Sequence, residues 1–348
     1  MLKKLLIALG ALICLFLVAL AFVFYKAGAI PDKIANPDEA LVIHLKPGQT
    51  ASSVWRMLPI SVDKAQSLWF RVFRKMQPEY ARVKAGYYEF APDSTVEEIF
   101  TRIIKADETL FSITLVEGLT LNQWLAFIES TVNLHQDLPP FNELYSKLKT
   151  GDSNFCENPS ASLEGCLLPD TYFYAFNDSA LSILKRAFEA MDANLDRIWQ
   201  ERFQDIPIEH PYEALILASI IEKETAVDAE RGLIAGVFSN RLELGMRLQT
   251  DPTVIYGIID SGEAFDGNIT RTHLREKTRY NTYRIDGLPP TPIAMPSLAS
   301  LEAAVKPDLT DYLYFVAKGD GSHEFSQTLE EHNQAVSLYQ LKRKQNTN

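Results

Sequence analysis

The chain has 348 residues, 47% of them hydrophobic and 11% aromatic, with a formal net charge of -11. That length and apolar content suffice for one large or two smaller folded domains and exclude global disorder. The acidic balance, without any cluster of Lys and Arg, excludes nucleic acid as the main partner, because phosphate binding needs concentrated positive charge.

Leu5 to Tyr25, LLIALGALICLFLVALAFVFY, is a run of 21 residues without a charge. At about 1.5 Å per residue it matches the roughly 30 Å hydrocarbon core of a bilayer. Residues 1–25 are therefore read as a short cytoplasmic head and a single transmembrane helix. A cleaved signal peptide is the rival reading, and Ala19-Leu20-Ala21 resembles a cleavage site, but an apolar region of about 7–15 residues is usual there. A lipoprotein reading fails on Ile13, which stands before Cys14 where a small residue is needed. Lys3 and Lys4 ahead of the span are balanced by Lys26 and Lys33 behind it, so charge bias leaves the orientation open. The short head favours a cytoplasmic N-terminus. Residues 26–40 carry Pro31, Pro37 and mixed charge with no apolar period, and read as a tether.

From Leu41 a pattern of strand, turn and capped amphipathic helix recurs, in LVIHLKPGQTASSVWRML, GYYEFAPDSTVEEIFTRII and SITLVEGLTLNQWLAFI. In the second, Ser94 and Glu97 fit a capping box, and Val96, Ile99, Phe100, Ile103 and Ile104 have helical spacing. In the third, Thr120 and Gln123 fit another. Residues 41–107 are expected to form a small α+β module.

Between Glu129 and Gly165 a short helix is expected among loops. Cys156 and Cys166 flank a short loop, a spacing that admits either a disulfide or two unpaired small hydrophobes. After them, Pro169, Asp170 and Thr171 predict a tight turn that presents Glu164 or Asp170 near a core surface, or simply caps itself.

PYEALILASIIEKE predicts a helix apolar around most of its circumference, ending in two carboxylates. At about 100° per residue, Glu224 lies within about 60° of Ile221 and beside Leu217 and Ile220. Glu222 points about 160° away from Glu224. Only Glu224 continues the apolar stripe. Desolvation there disfavours the charged form and raises the pKa, and a Glu protonated near neutral pH can donate a proton to a glycosidic oxygen. The bland reading is a helix-end Glu paired with Lys223, Arg231 or Arg241.

Ile234, Val237, Phe238 and Leu242 predict one more helix, ending near Gly245. Gln249, Thr250 and Asp251 then fall in a turn that ends at Pro252, and Asn281 lies near Tyr280 and Tyr283 ahead of a proline-rich loop. Amides, hydroxyls and aromatic rings are the types that recognise sugar hydroxyls and sugar faces. Each is also an ordinary turn or core residue. None of the six histidines has metal-ligand spacing, and His323 and His332 read as loop or wall residues.

Taken in order, ASIIEKETA, VFSNRLELGMRLQTDPTVIYG, YNTY, GLPPTPIAMPS, YLYFVA and EEHN resemble the YceG-like endolytic murein transglycosylases over most of the chain. The resemblance implies an α+β protein of the bacterial inner membrane with a single-pass helix, a LysM-like module at 41–107 and a larger mixed α/β catalytic domain at 108–345, outside the cytoplasm. It implies peptidoglycan glycan strands as substrate, cell-wall synthases as partners, no cofactor, and Glu224 as the one catalytic acid. That Glu would protonate the oxygen between N-acetylmuramic acid and N-acetylglucosamine and then deprotonate the muramic C6 hydroxyl, leaving a 1,6-anhydro end. Glu164 is a site-lining acid on this reading, Arg241 a residue that fixes a carboxylate or substrate peptide, and Glu222 structural. Two rival classes stand beside it: a non-catalytic glycan-binding scaffold that recruits synthases, and a hydrolase with a second acid near Glu224.

Overall fold

A computed structural model describes residues 2–149, 155–156, 162–265 and 267–341. The fold is mixed α+β and divides into two compact units, Met1–Phe111 with Phe173–Asn177, and Ser112–Tyr172 with Asp178–Asn348.

The first unit opens with α1 (Leu2–Gly28), the one described helix long and apolar enough to cross a membrane. β1 (Leu41–Leu45), α2 (Ala51–Met57), α3 (Lys64–Met76), β2 (Gly86–Phe90) and α4 (Val96–Lys105) follow. β1 and β2 pair antiparallel with Ile43 opposite Tyr88, and alternate residues of both strands face inward. Their apolar face meets Trp55, Phe70, Ile99, Phe100 and Ile103 of the helices, with the Trp55 and Phe70 rings stacked at 4.2 Å.

Two expectations shift here. The N-cap of α4 is Thr95, not Ser94: its hydroxyl accepts from Glu98 N at 3.2 Å while the Glu98 carboxylate accepts from Thr95 N at 2.8 Å. Ser94 Oγ is already engaged in the preceding turn, donating to Ala91 O. Residues 27–36, expected to be a tether, are packed instead. Ala27, Ile30 and Ala35 are fully buried in the core of the unit, Ala35 N donates to Ser94 O at 2.8 Å, and Asn36 Nδ2 donates to Ala91 O at 2.8 Å. Apolar residues scattered on either side of Pro31 show no local period, so only tertiary contacts reveal them.

β3 (Phe111–Leu115), α5 (Leu121–Glu129), β4 (Leu134–His135), α6 (Phe141–Leu148), β5 (Asp170–Tyr174), β6 (Asp178–Ser179) and α7 (Ala180–Gln200) come next. The helices expected at α5, with its Thr120–Gln123 capping box, and at α6 are present. β3 pairs with β5, so Asp170 and Thr171 open a strand and not a tight turn. β4 and β6 form a short parallel pair. Cys156 and Cys166 are joined as a disulfide with Cα atoms 5.9 Å apart.

The remainder comprises α8 (Pro211–Glu224), α9 (Asp228–Glu243), α10 (Asp251–Asp260), α11 (Arg271–Arg275), α12 (Leu298–Val305), the antiparallel hairpin β7 (Tyr314–Ala317) and β8 (His323–Ser326), and α13 (Leu329–Val336). Pro211 in the first turn and Glu213, whose carboxylate accepts from His210 N, start α8. Every residue from Ala214 to Ile221 is buried, and α7, α9, α10 and α12 all pack on it. A helix apolar all round thus becomes the axis of the second unit.

Candidate active site

The last residue of α8 is Glu224, since Thr225 leaves the helix with φ -144 and ψ 138. Glu224 is half-buried and lines an open cleft of about 420 Å³ together with Gln249, Thr250, Asp251, Tyr283 and the hairpin residues Tyr314 and His323. Burial pushes its carboxyl up to about 7, the charge of Asp251 adds to that, and a hydrogen bond from Thr250 and the proximity of His323 oppose it. The C-terminal end of a helix also disfavours a carboxylate.

The Thr250 hydroxyl donates to Glu224 Oε1, so Oε2 is the oxygen left to carry a transferable proton. Thr250 is itself held from behind: its N–H donates to Thr282 Oγ1 at 3.1 Å, and Thr253 Oγ1 donates to Thr250 O at 2.8 Å. The Thr253 and Thr282 hydroxyls are 2.9 Å apart, and both side chains are fully buried. Gln249, just ahead, adopts φ 53, with its N–H donating to Thr282 O at 3.3 Å. A non-glycine residue in that region costs about 1 kcal/mol or more, and such strain concentrates where a loop must aim side chains. The expected turn is thus a short strained approach to α10, whose first residue is Asp251. Asp251 Oδ1 accepts from the Tyr283 hydroxyl at 2.7 Å.

Across the cleft, His323 is fixed by Glu230 of α9, which accepts from its N–H at 2.8 Å and lies 2.7 Å from Nδ1. Tyr314 stacks on His332 with ring centroids 5.2 Å apart, and His332 also lines the cleft. The arrangement is a polar trough with aromatic walls, with the Glu224 carboxyl at the end of α8 and Asp251 at the start of α10.

A model of the YceG-like family matches residues 43–338. The chain belongs to the YceG-like family. It is 35% identical over 268 residues to a Bacillus subtilis (strain 168) protein named endolytic murein transglycosylase, a match covering 74% of this chain and 73% of that one. A Streptococcus pneumoniae (strain D39 / NCTC 7466) protein of the same name is 26% identical over 339 residues, which span 87% of this chain and 59% of the relative. The crystal structure of a YceG-like protein from Listeria monocytogenes is similar with a TM-score of 0.52 at 31% identity, covering 85% of this chain and 99% of that one.

In this YceG-like protein the residues expected at the site divide. Glu224, Arg241, Gln249, Thr250, Asp251 and Tyr283 line one cleft. Arg241, 7% exposed, spends its guanidinium on backbone: Nε donates to Leu313 O at 2.6 Å and Nη1 to Leu248 O at 2.8 Å. It ties α9 to the strained approach and to β7. Tyr280, Asn281 and Glu164 are not among the cleft residues. Tyr280 is a core ring whose hydroxyl lies 2.8 Å from Thr291 Oγ1. Asn281 is fully buried and donates to Glu276 O at 2.7 Å and to His273 O at 3.1 Å, closing the turn after α11.

Glu164, 4% exposed, accepts from Leu121 N at 2.9 Å and from the Tyr256 hydroxyl at 3.1 Å. Burial pushes its carboxyl up to about 8, against the pull of those two donors. The next residue, Gly165, has φ 76, and a Cβ there would collide with the Pro292 ring. Glu222 accepts from Ser297 N at 3.0 Å, Ser297 Oγ at 2.5 Å and Ser300 Oγ at 2.6 Å, so it anchors the first turn of α12. Sequence reasoning missed Thr253, Thr282 and Tyr314. Hydroxyls that act through other hydroxyls have no spacing signal, and Tyr314 reaches the cleft only because β7 pairs with β8.

Proposed function

We propose that this protein is an endolytic murein transglycosylase that cleaves the bond between N-acetylmuramic acid and N-acetylglucosamine within glycan strands. The observation that carries the reading is Glu224, a carboxyl raised to about 7 on a cleft with polar and aromatic walls. Family membership, and the names of the Bacillus and Streptococcus relatives, support the same chemistry.

In the proposed reaction, Glu224 Oε2 gives its proton to the bridging oxygen as the bond from muramic C1 breaks. The resulting carboxylate is held by the Thr250 hydroxyl on Oε1. It then takes the proton of the muramic C6 hydroxyl as that oxygen bonds to C1, which regenerates the acid and closes the 1,6-anhydro ring. Water is not consumed, so no second carboxylate is required to activate it. Glu164, engaged by Leu121 and Tyr256, is not positioned for that task; Asp251 is the other carboxylate on the cleft.

We further read α1 as a membrane anchor, supported by its length and apolar composition, with the chain that follows it outside the cytoplasm, where a disulfide such as Cys156–Cys166 persists. Residues 41–107, within the first unit, are read as a LysM-like glycan-binding module, and peptidoglycan synthases as partners.

Mass analysis of products from purified glycan strands tests the reading. Anhydro ends are expected from the wild type, and Glu224→Gln should lose about 10²–10⁴ in rate while still binding glycan. Reducing ends that vanish in Asp251→Asn would instead identify a two-carboxylate hydrolase, and no cleavage at all would leave a binding scaffold.

A further inference from the structure

Resting on the reading of α1 as a membrane span, we propose that α3 is a second membrane-contacting element, lying along an anionic phospholipid surface beside the exit of the span. Around this helix the side chains fall into three sectors. Phe70 and Phe73 are buried in the core of the unit. Leu68, Val72, Met76 and Trp69 form an adjoining apolar sector left open, with Leu68 48% and Met76 36% exposed. Lys64, Arg71, Arg74 and Lys75 occupy the rest, and no acidic residue lies between Lys64 and Met76. A globular helix needs one apolar face; here Trp69 and Val72 pack partly against the core while Leu68 and Met76, beside them, stay exposed. Val62, in the turn just before α3, is a further exposed apolar residue, at 85%.

The position of α3 says what covers that face. α1 and α3 are in contact, and the Trp69 ring meets Phe22 of α1 edge-on at 6.0 Å. Phe22 lies three residues inside Tyr25, the end of the uncharged run, which at about 1.5 Å per residue is roughly 5 Å below the edge of the apolar zone. Trp69 therefore sits at the depth where indole rings prefer to lie, between acyl chains and headgroups. A helix at that depth, with an apolar sector flanked by Lys and Arg, has the composition of an interfacial helix drawn to anionic lipid.

The test uses the full-length chain reconstituted in phosphatidylglycerol vesicles whose acyl chains carry bromine, which quenches tryptophan on contact. Of the four tryptophans, Trp55 and Trp124 are buried in protein cores. Trp69→Phe should remove a quenchable component. Because Trp69 touches the span, the deciding variant is Trp69→Phe with Met76→Trp, which moves the reporter two turns along the same sector. It should regain the quenching, and adding Arg71→Gln with Lys75→Gln should weaken it at least twofold. A chain that floats with the vesicles while the tryptophan introduced by Met76→Trp stays unquenched overturns the proposal and leaves the anchor intact. Quenching that is equal in phosphatidylcholine overturns the anionic preference, and a chain that fails to float overturns the anchor itself.

Discussion

Among individual residues, the two neighbours of Glu224 act on its proton in opposite senses, which makes the assignment testable by pH. An acid that must start protonated loses activity as pH rises through its pKa, so kcat/KM should fall above about pH 7. Thr250 donates to the carboxylate and lowers the pKa; Thr250→Val should reduce the rate and move the falling limb to higher pH. Asp251 disfavours the carboxylate; Asp251→Asn should move the limb to lower pH, and each displacement should reach at most about one pH unit. Limbs that move together, or not at all, would mean that another group titrates. The helical phase of Glu224 was legible because period and residue type suffice to place a side chain on a stripe. Tyr280 and Asn281, expected at the site, lie away from the cleft, because residue type alone does not say which way a loop faces. Both turned inward, where Thr291 and the carbonyls after α11 engage them.

Secondary-structure elements show a division of labour at the end of α8. Glu224 faces the cleft, while Glu222 binds the first turn of α12 and thereby fixes the direction in which α8 ends. Glu222→Ala leaves Ser297 and Ser300 without their acceptor and should cost about 1–3 kcal/mol in urea unfolding, with anhydro products still formed by the folded fraction. An inactive but equally stable variant would shift the catalytic role to Glu222. Reducing Cys156–Cys166 should lower stability by about 2–4 kcal/mol in the same assay, and an unchanged midpoint would show that the loop is already constrained by packing. α4, α5, α8 and α9 were readable from periodicity and caps. α3, with its apolar and basic sectors well separated and Asp63 as its N-cap, carries the same signals. The packed segment 27–36, interrupted by Pro31 and carrying Asp32 and Lys33, has no local period to reveal it.

The whole molecule carries a pH dependence that does not involve substrate. Glu164 has a folded pKa of about 8 against an ordinary value of 4.5, so between those values the folded state holds a proton that the unfolded chain has released. Stability should therefore decline as pH rises from about 4.5 to 8 and level off above. Glu224 contributes in the same direction up to about 7. Each tenfold difference in proton affinity between the folded and unfolded chain is worth about 1.4 kcal/mol, so the combined effect is several kcal/mol, with about 8 as its ceiling. Denaturant unfolding at pH 5 and pH 8 should show the decline in the wild type and a shallower one in Glu164→Gln; parallel curves would mean that Glu164 is ionised in the native state. A last consequence concerns mechanics. A free linker of about 15 residues would let a module wander over roughly 20 Å, but Ala27, Ile30 and Ala35 are locked into the same core as β1 and α4. With α1 seated in a bilayer there is no slack at the joint: each tilt of the span swings the first unit like the arm of a lever, and its height above the lipid is set by the fold.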